Sequence, residues 1–595
     1  MQFGNVLSRW FEMHPVRTFV LLATALVLLT YGSVLGAPFV YDDLDQVVNN
    51  RNLQPWSNFA HRFLGQPVSL STSYLGYGGS TYRPIFWLTI YVDHSLWGLN
   101  ATAFHATNLL LHLLNGILLF LLFRKTKIPA TVAAAIGLIW LSLPINTEVV
   151  AWVSARAYEL CTLFTLGCLL ASLQYLESKR SSWLLVSFLS ILAADFSHEL
   201  GVVALPLLLL VLWMMRPAVS PRLWLFPAGG ILVASLASAG VRAAVGVKSF
   251  TTFASLKWSL LAFSQYLHLS LLPVHMSVER STSLSLQQGH IWSYVGLCFA
   301  AAGFAYAAIR RKENPSMLKG LCWYLIVILP FCLVMTYQGI AERFVYLAGI
   351  GLVTALVTGI FGIRRPAVKQ VLTLCLIGWS LWNIGRTWLR ARDWTDPVQL
   401  YRTSLEGTPK SALLHFNLGF TLRERGQLQE ALQEYRRALE IDSRYPNGYA
   451  SIGDVYLAMN AYRDAMEAYR TALAQKADDT AVLLNLGSAY QGMGANAEAE
   501  AAWQKLLDVD PKSSAAHTDL GVLYLSEQRT NDAMHQFAMA IDLKTTDIVP
   551  YYNLGALFQK AGRGDLAMVL YKKVLELKPD DADTLRNMRL LQQGH

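Results

Sequence analysis

The chain has 595 residues, of which 54% are hydrophobic and only 15% charged, well below the quarter typical of soluble domains. That excludes a disordered chain and an ordinary soluble enzyme. Residues 1–389 carry 26 Lys and Arg against 13 Asp and Glu, whereas residues 390–595 carry 23 against 27. A nucleic-acid binder would gather basic charge on a soluble face. Here the charge lies between apolar runs, so membrane topology is the better explanation and no nucleic-acid partner is expected.

Twelve apolar stretches follow one another at about 18–35, 105–123, 130–146, 157–176, 183–195, 201–215, 223–240, 256–273, 291–309, 318–335, 344–362 and 369–387. Each is long enough, or nearly so, to cross a bilayer. The first follows Arg9 and Arg17 as a signal peptide would, but its apolar run is long for one, so it reads as an uncleaved span. Positive charge in short loops marks the cytoplasmic side. The clusters are Arg9/Arg17, Arg124/Lys125/Lys127, Lys179/Arg180, Arg216/Arg222, Arg310/Arg311/Lys312/Lys319 and Arg364/Arg365/Lys369. Between clusters the chain must cross an even number of times, and only the interval 223–309 holds three stretches. The stretch 256–273, after the polar segment 241–255, is therefore expected to be re-entrant or interfacial. Eleven crossings remain, with a cytoplasmic N-terminus and the C-terminal part outside. A bacterial inner membrane with a periplasmic tail is favoured over an endoplasmic reticulum lumen, because the chain is compact and lacks long inserts.

The acidic residues of this part then sort by side. Glu12, Glu177 and Glu313 fall on the cytoplasmic face, whereas Asp42, Asp43, Asp45, Asp93, Glu148, Glu159, Asp195, Glu199, Glu279 and Glu342 fall on or near the outer one. A carboxylate close to hydrocarbon costs on the order of 3 kcal/mol, so several on one face point to a site. Asp45, Glu159 and Glu279 are read as solvated loop charge. Cys161, Cys168, Cys298, Cys322, Cys332 and Cys375 all lie in apolar stretches without metal-ligand spacing, and are read as small core residues.

From residue 412 the sequence repeats every 34 residues. Glycines recur at Gly419, Gly453, Gly487, Gly521 and Gly555, alanines at Ala431, Ala465, Ala499, Ala533 and Ala567, and aromatics at Tyr435, Tyr469, Trp503, Phe537 and Tyr571. This is tetratricopeptide (TPR) spacing: two helices per repeat, small residues where they cross, an aromatic in the gap. Tyr401 and Pro409 continue the register upstream, as a degenerate half-repeat within a linker at 390–411. Such repeats stack into a solenoid with a concave binding surface. The fold class is all-α: a polytopic membrane helical domain over 1–389, with a first outer loop at 36–104, then five TPRs over 412–595.

The first outer loop opens with Phe39-Val40-Tyr41-Asp42-Asp43-Leu44-Asp45. Adjacent carboxylates repel, so one can have a raised pKa and act as a base. Asp43 and Asp45 could instead hold a divalent cation, or cap the loop; no cofactor is favoured. Tyr82-Arg83-Pro84 and Asp93-His94 follow, then His105, Asn108 and His112 on one helix face. That stripe is better read as a polar face lining a cavity than as a metal site. Farther on come Glu148 and Arg156, His198-Glu199, and Glu342-Arg343, each beside an apolar span on the outer side. Carboxylates beside arginines at that depth could bind a phosphate head group and activate a hydroxyl.

In this order the motifs resemble the transmembrane-and-TPR O-mannosyltransferases: Y-D-D at Tyr41–Asp43, Y-R-P at Tyr82–Pro84, H-x-x-N-x-x-x-H at His105–His112, P-x-x-T-E-x-x-A-W-x-S-x-R at Pro144–Arg156, an acidic H-E-x-G at His198–Gly201, and A-E-R-x-x-Y-L at Ala341–Leu347, then the TPRs. The resemblance implies a C-type glycosyltransferase (GT-C) fold and transfer of a sugar from a polyprenyl-phosphate donor to a protein hydroxyl on the outer or lumenal side. It also implies that the acidic pair, here Asp42 and Asp43, supplies the base. The chain departs from the family where H-P-V-H-T-E has lost both histidines, to Leu143 and Asn146, and where G-R-A-D has lost its acid, to Tyr158. His198 stands where the family has lysine.

The expected activity is therefore an inverting, metal-independent protein O-glycosyltransferase with a mannose-like sugar. Asp42 or Asp43 would take the acceptor proton, and Arg83, Arg156 and Arg343 would hold the departing phosphate. Asp93, His94, His105, Glu148, His198, Glu199 and Glu342 would line the cavity or sugar pocket. The partners would be a lipid-linked sugar donor, the bilayer and a protein acceptor in the TPR groove. Two other readings stay open: a non-catalytic, membrane-anchored TPR scaffold, and an oligosaccharyltransferase using a pyrophosphate-linked glycan.

Overall fold

The computed structural model describes residues 12–66, 68–70, 79–214, 221–247, 252–279, 291–335 and 340–593. The chain divides into two compact units between Leu418 and Gly419.

In the first unit, seven described segments are long and apolar enough to cross a membrane: Pro15–Gly36, Ala101–Lys125, Val153–Ser178, Leu223–Ala244, Pro315–Leu333, Glu342–Phe361 and Pro366–Asp393. Ala130–Leu141 and Pro144–Ala151, bent by 55°, make an eighth if taken as one span. Pro144 accounts for the bend, because it lacks an N–H and drives Leu143 out of helical geometry. Eleven crossings would also need Ser182–Ser197, Glu199–Trp213 and Ile291–Ile309. The segment expected to be re-entrant forms the 16-residue helix Leu256–Leu271.

The chain is a multi-pass membrane protein. Large apolar side chains face outward, among them Leu225 at 71% and Phe299 at 75% exposure, which suits lipid and not water. Cys298 and Cys375 are exposed too, against the expectation that all six cysteines are core residues. A helix at a bundle's edge buries only one face, so an apolar stretch does not guarantee a buried thiol.

Small residues let the helices touch closely, as in other membrane bundles. A methyl group at Gly320 would lie 2.6 Å from the Ala355 nitrogen, and one at Gly351 2.5 Å from the Gly320 carbonyl oxygen. The helices Pro315–Leu333 and Tyr346–Phe361 thus meet backbone to backbone. Two short antiparallel ribbons, Val68–Leu70 with Gly79–Thr81 and Thr252–Phe253 with Val334–Met335, interrupt an otherwise helical unit. The first outer loop has its own aromatic core of Phe59, Phe63, Phe86, Trp87 and Phe104. That core seats the helix Pro84–Trp97 against its neighbours.

The second unit is the repeat array. The pairs Gly448–Ala458 with Tyr462–Gln475, Thr480–Gly492 with Asn496–Val509, Ser514–Ser526 with Thr530–Asp542, and Val549–Lys560 with Gly564–Leu577 follow one another, and Ala582–Gln592 ends the array. The first pair, Ala412–Glu424 with Leu428–Ile441, carries the division between the units within its first helix. The repeat positions do what their spacing requires: a Cβ at Gly453, Gly487 or Gly521 would come within 2.3–2.6 Å of the rings of Tyr469, Trp503 and Phe537 respectively. The helix Pro397–Gly407, in the segment expected to be a linker, belongs to the first unit, with Val398, Leu400 and Tyr401 buried.

Candidate active site

The acidic loop meets the segment after the bent helix pair. Tyr41 has φ +58°, a left-handed backbone that a bulky residue rarely adopts, and its ring lies edge-on to Trp152 at 5.4 Å. This turn gives the two aspartates different surroundings. Asp43 is wholly buried. Its Oδ1 accepts from the Ser154 N–H at 2.8 Å and the Ser154 hydroxyl at 2.5 Å, while Oδ2 has no partner among the described residues. Burial pushes the Asp43 carboxyl up to about 7, even though the Ser154 bonds pull it down. Asp42 is half-buried. Burial raises it to about 6, with the Arg343 charge lowering it and Asp45 adding to the rise. At neutral pH Asp42 is mostly ionised and Asp43 is partly protonated, the kind of separation that acid–base chemistry uses. Asp45 is exposed whereas Asp43 is buried, so the pair considered for a divalent cation is split between solvent and interior.

The three arginines differ in what holds them. Arg343 is buried against Glu148: its guanidinium pairs with Oε1, and its N–H donates to Oε2 at 2.9 Å. The guanidinium also lies 5.2 Å from the Trp152 and Phe344 ring centres. Beside it Glu342 accepts from the Ser277 N–H at 2.6 Å. Arg83 makes a forked pair with Glu199, Nε at 3.1 Å and Nη2 at 2.7 Å, with side chains 22% and 41% exposed.

Arg156 corrects the expectation of a phosphate ligand. It is wholly buried, with Nη2 2.7 Å from Asp93, Nε donating to Asn108 Oδ1 at 2.7 Å and Nη2 to the Phe104 carbonyl at 3.0 Å. A buried guanidinium is tolerable only when paired and hydrogen-bonded in this way. Arg156 and Asp93 therefore clamp three helices together and do not line a pocket.

The histidine stripe is likewise a seam. Asn108 donates to the Val150 and Trp152 carbonyls at 3.3 and 3.4 Å. His112 bridges the Leu141 carbonyl at 3.0 Å and the Tyr346 hydroxyl at 2.7 Å, and His105 is fully buried. The stripe joins the Ala101–Lys125 helix to the bent segment. His198 caps a short helix: its Nδ1 accepts from the Leu200 N–H at 3.0 Å, and its ring packs on Tyr158. His94 is half-buried, 3.3 Å from the Gln54 amide.

One residue read as solvated charge is not. Glu159 is completely buried, and neither carboxylate oxygen has a hydrogen-bond partner among the described residues. It sits one turn inside the helix Arg156–Ser178, where a loop was expected. Glu279 accepts from the Ser411 hydroxyl. Ser154 and Tyr401 were given no role from sequence. Ser154 lies within a quoted motif, but Tyr401 was legible only as part of the repeat register. Tyr401 is 4% exposed, and burial, with the charges of Asp42 and Asp43, holds its phenol well above the ordinary range.

Family models described as TPR repeat or tetratricopeptide repeat match residues 400–433, 421–460, 453–494, 484–548 and 550–581. A Caenorhabditis elegans protein O-mannosyl-transferase is 24% identical over 440 residues, covering 69% of this chain and 61% of that protein. The human protein O-mannosyl-transferase TMTC4 is 25% identical over 69% of this chain and 65% of its own length, and human TMTC1 is 25% identical over 70% and 54%. The chain therefore spans less than two thirds of these relatives. Among solved structures, YrrB, titled a TPR protein with an unusual peptide-binding site, is 21% identical, with a TM-score of 0.27 over 32% of this chain and 99% of that one. With its motifs in family order and a multi-pass helical unit ahead of a repeat array, the chain is similar to the TMTC protein O-mannosyl-transferases over about 70% of its own length.

Proposed function

We propose that the chain is a membrane glycosyltransferase of GT-C type, moving a mannose-like sugar from a polyprenyl-phosphate donor to Ser or Thr hydroxyls of envelope proteins. The observation that carries this reading is the adjacent acidic pair, one member anchored and buried, the other half-buried within reach of the Arg343 charge. Asp42, ionised and accessible, takes the acceptor hydroxyl proton as the oxygen bonds to the anomeric carbon. The bond from that carbon to the phosphate oxygen breaks, the electron pair leaves with the lipid phosphate, and the anomeric configuration inverts. Arg343 and the partly exposed Arg83 supply the positive charge that a departing phosphate needs. The names of the relatives support the reaction class. The array binds the acceptor, and its covalent attachment keeps that acceptor at an effective concentration on the order of millimolar. The chemistry takes place on the outer side of a bacterial inner membrane, with eleven crossings below it.

Purified full-length chain should transfer labelled mannose from polyprenyl-phosphate mannose to a Ser/Thr peptide, and envelope proteins from cells lacking it should lose a hexose mass. Activity only with pyrophosphate-linked glycans would replace this reading by an oligosaccharyltransferase. Transfer that is abolished by a chelator and restored by Mg²⁺ would overturn the metal-independent step. The scaffold reading has one observation in its favour, since carboxylates already occupy Arg156 and Arg343. It predicts no transfer and no loss of hexose mass. Deleting 412–595 should spare donor binding and slow transfer to the native protein, but not to a saturating short peptide.

A further inference from the structure

We propose that Glu159 and Asn115 hold a monovalent alkali cation, of the sodium or potassium class, inside the membrane unit. The site is separate from the acidic turn and does not rest on the transferase reading.

Glu159 is wholly buried, and neither carboxylate oxygen has a hydrogen-bond partner among the described residues. An ionised carboxylate in a protein interior is costly unless something of opposite charge answers it. The arginine one turn before it on the same helix gives no relief. Arg156 is engaged by Asp93, the Asn108 Oδ1 and the Phe104 carbonyl.

The hydrogen-bond donors of this region are already in use. Asn115 Nδ2 donates to the Glu159 carbonyl at 3.1 Å and to the Tyr346 hydroxyl at 3.3 Å. A carbonyl can only accept, so chemistry fixes the orientation of this amide. Its Oδ1 is left buried and without a partner among the described residues. His112 Nε2 meets the Leu141 carbonyl at 3.0 Å and therefore carries the hydrogen. The neutral ring then takes the Tyr346 hydroxyl hydrogen at Nδ1, 2.7 Å away. Tyr31, edge-on to His112 with ring centres 5.2 Å apart, directs its own hydroxyl to the Leu143 carbonyl at 3.3 Å.

What remains unmatched is oxygen. Two oxygens belong to Glu159 and one to Asn115, and the bond from Asn115 to the Glu159 carbonyl sets that amide beside residue 159. Asn146 repeats the pattern in the bent segment: Nδ2 donates to the Trp140 carbonyl at 2.7 Å, and Oδ1 is buried without a partner among the described residues. Protonating Glu159 would supply one hydrogen where several acceptors lack one. A cation answers the charge and the lone pairs together. Oxygen ligands without nitrogen or sulfur suit a hard ion, and one carboxylate among neutral amides balances a single positive charge.

The full-length chain in detergent tests this in sodium chloride or potassium chloride, each balanced with choline chloride to constant ionic strength. Raising sodium or potassium from about 1 to about 100 mM should raise the melting temperature by several degrees, as an ion held only by the folded state does. Glu159→Gln should abolish that dependence. Dicyclohexylcarbodiimide, an apolar reagent that attacks protonated carboxyls, should label Glu159 several times more slowly in the alkali salt than in choline chloride, read by peptide mass spectrometry. Asp43 should be labelled equally in both. A melting temperature indifferent to both cations, the same dependence in Glu159→Gln, or labelling of Glu159 that ignores the salt or merely follows that of Asp43 would overturn the proposal. Should Glu159→Gln fail to fold, the labelling of the unmodified chain decides.

Discussion

In the repeat array, Arg529 reaches Glu500, Glu527 and Asp532 at the surface, with its side chain 39% exposed. The core beneath is built from alanines and rings such as Ala499, Trp503, Ala533 and Phe537. The membrane unit reverses this. Arg156, Arg343, Asp93, Glu148, Glu159 and Glu342 lie inside, whereas leucines and phenylalanines point outward. Water solvates the rim of the array, so charge there needs no partner. Lipid cannot, so the buried arginines of the other unit find their partners in the protein, Arg156 in Asp93 and Arg343 in Glu148. An arginine beside a carboxylate is thus weak evidence of a ligand site in the membrane unit, because packing alone demands the pairing. The acidic turn stands apart in a different way: Asp42 and Asp43 are neighbours in the chain, yet one is half-buried and the other wholly buried on Ser154.

The largest expected effect falls on that turn. Asp42→Asn should lower transfer by about 10²–10⁴-fold, the usual range for a general base, with folding intact, and Asp43→Asn should weaken it less. Full activity in the Asp42 variant would end the mechanism. The rate should fall to half near pH 6 on the acid side, where Asp42 takes up a proton.

Next comes the buried pair. Arg343→Ala should destabilise the chain by about 3–5 kcal/mol, because it strands Glu148 in the interior. Lys573→Ala, which breaks an exposed pair with Glu576 in the array, should cost no more than about 1 kcal/mol. Equal losses in melting temperature would erase the contrast between the units.

Asp43 should also act on stability, with a definite sign. Its folded value, near 7, lies above the ordinary 3.8, so the folded state holds the proton more tightly. Stability is therefore lost as pH rises between those values. Asp43→Asn should raise the melting temperature at pH 8 and leave it unchanged below pH 4. A drop at pH 8 would mean that the carboxylate is stabilising. The smallest effect tests the array: Gly487→Ala drives a methyl into Trp503 and should cost about 1–3 kcal/mol, whereas Gly378→Ala, with open space around it, should cost little. A cysteine at Ser513 should react with an impermeant reagent from outside the cell. The companion position, Ser283, lies outside the described residues.

The array was legible almost residue by residue, because a 34-residue period ties each glycine to one ring and Gly487 and Trp503 need each other in every copy. The membrane unit was legible in its spans and in the acidic turn, whose adjacent aspartates are chemically conspicuous. What could not be read was direction. Arg156 and Arg83 look alike in a string, yet one is walled in by Asn108, Asp93 and the Phe104 carbonyl while the other stays partly open. Glu159 was read as loop charge although the apolar stretch from about 157 encloses it, because a string does not show that the first turn of that helix is walled in on every side. Tyr401 continues the repeat register, which gave no hint that its helix, Pro397–Gly407, belongs to the membrane unit and not to the array.

If the proposed lipid-linked donor is right, the contact of Gly320 with Gly351 constrains how its long chain would arrive. Helices that touch backbone to backbone have no side chains between them to rotate aside, so no seam can open there without tearing apart a row of close contacts. A sideways portal from the bilayer must lie elsewhere on the perimeter, between helices whose facing residues are long and can swing. The pair Pro315–Leu333 and Tyr346–Phe361 is then the fixed jamb against which any such door would move.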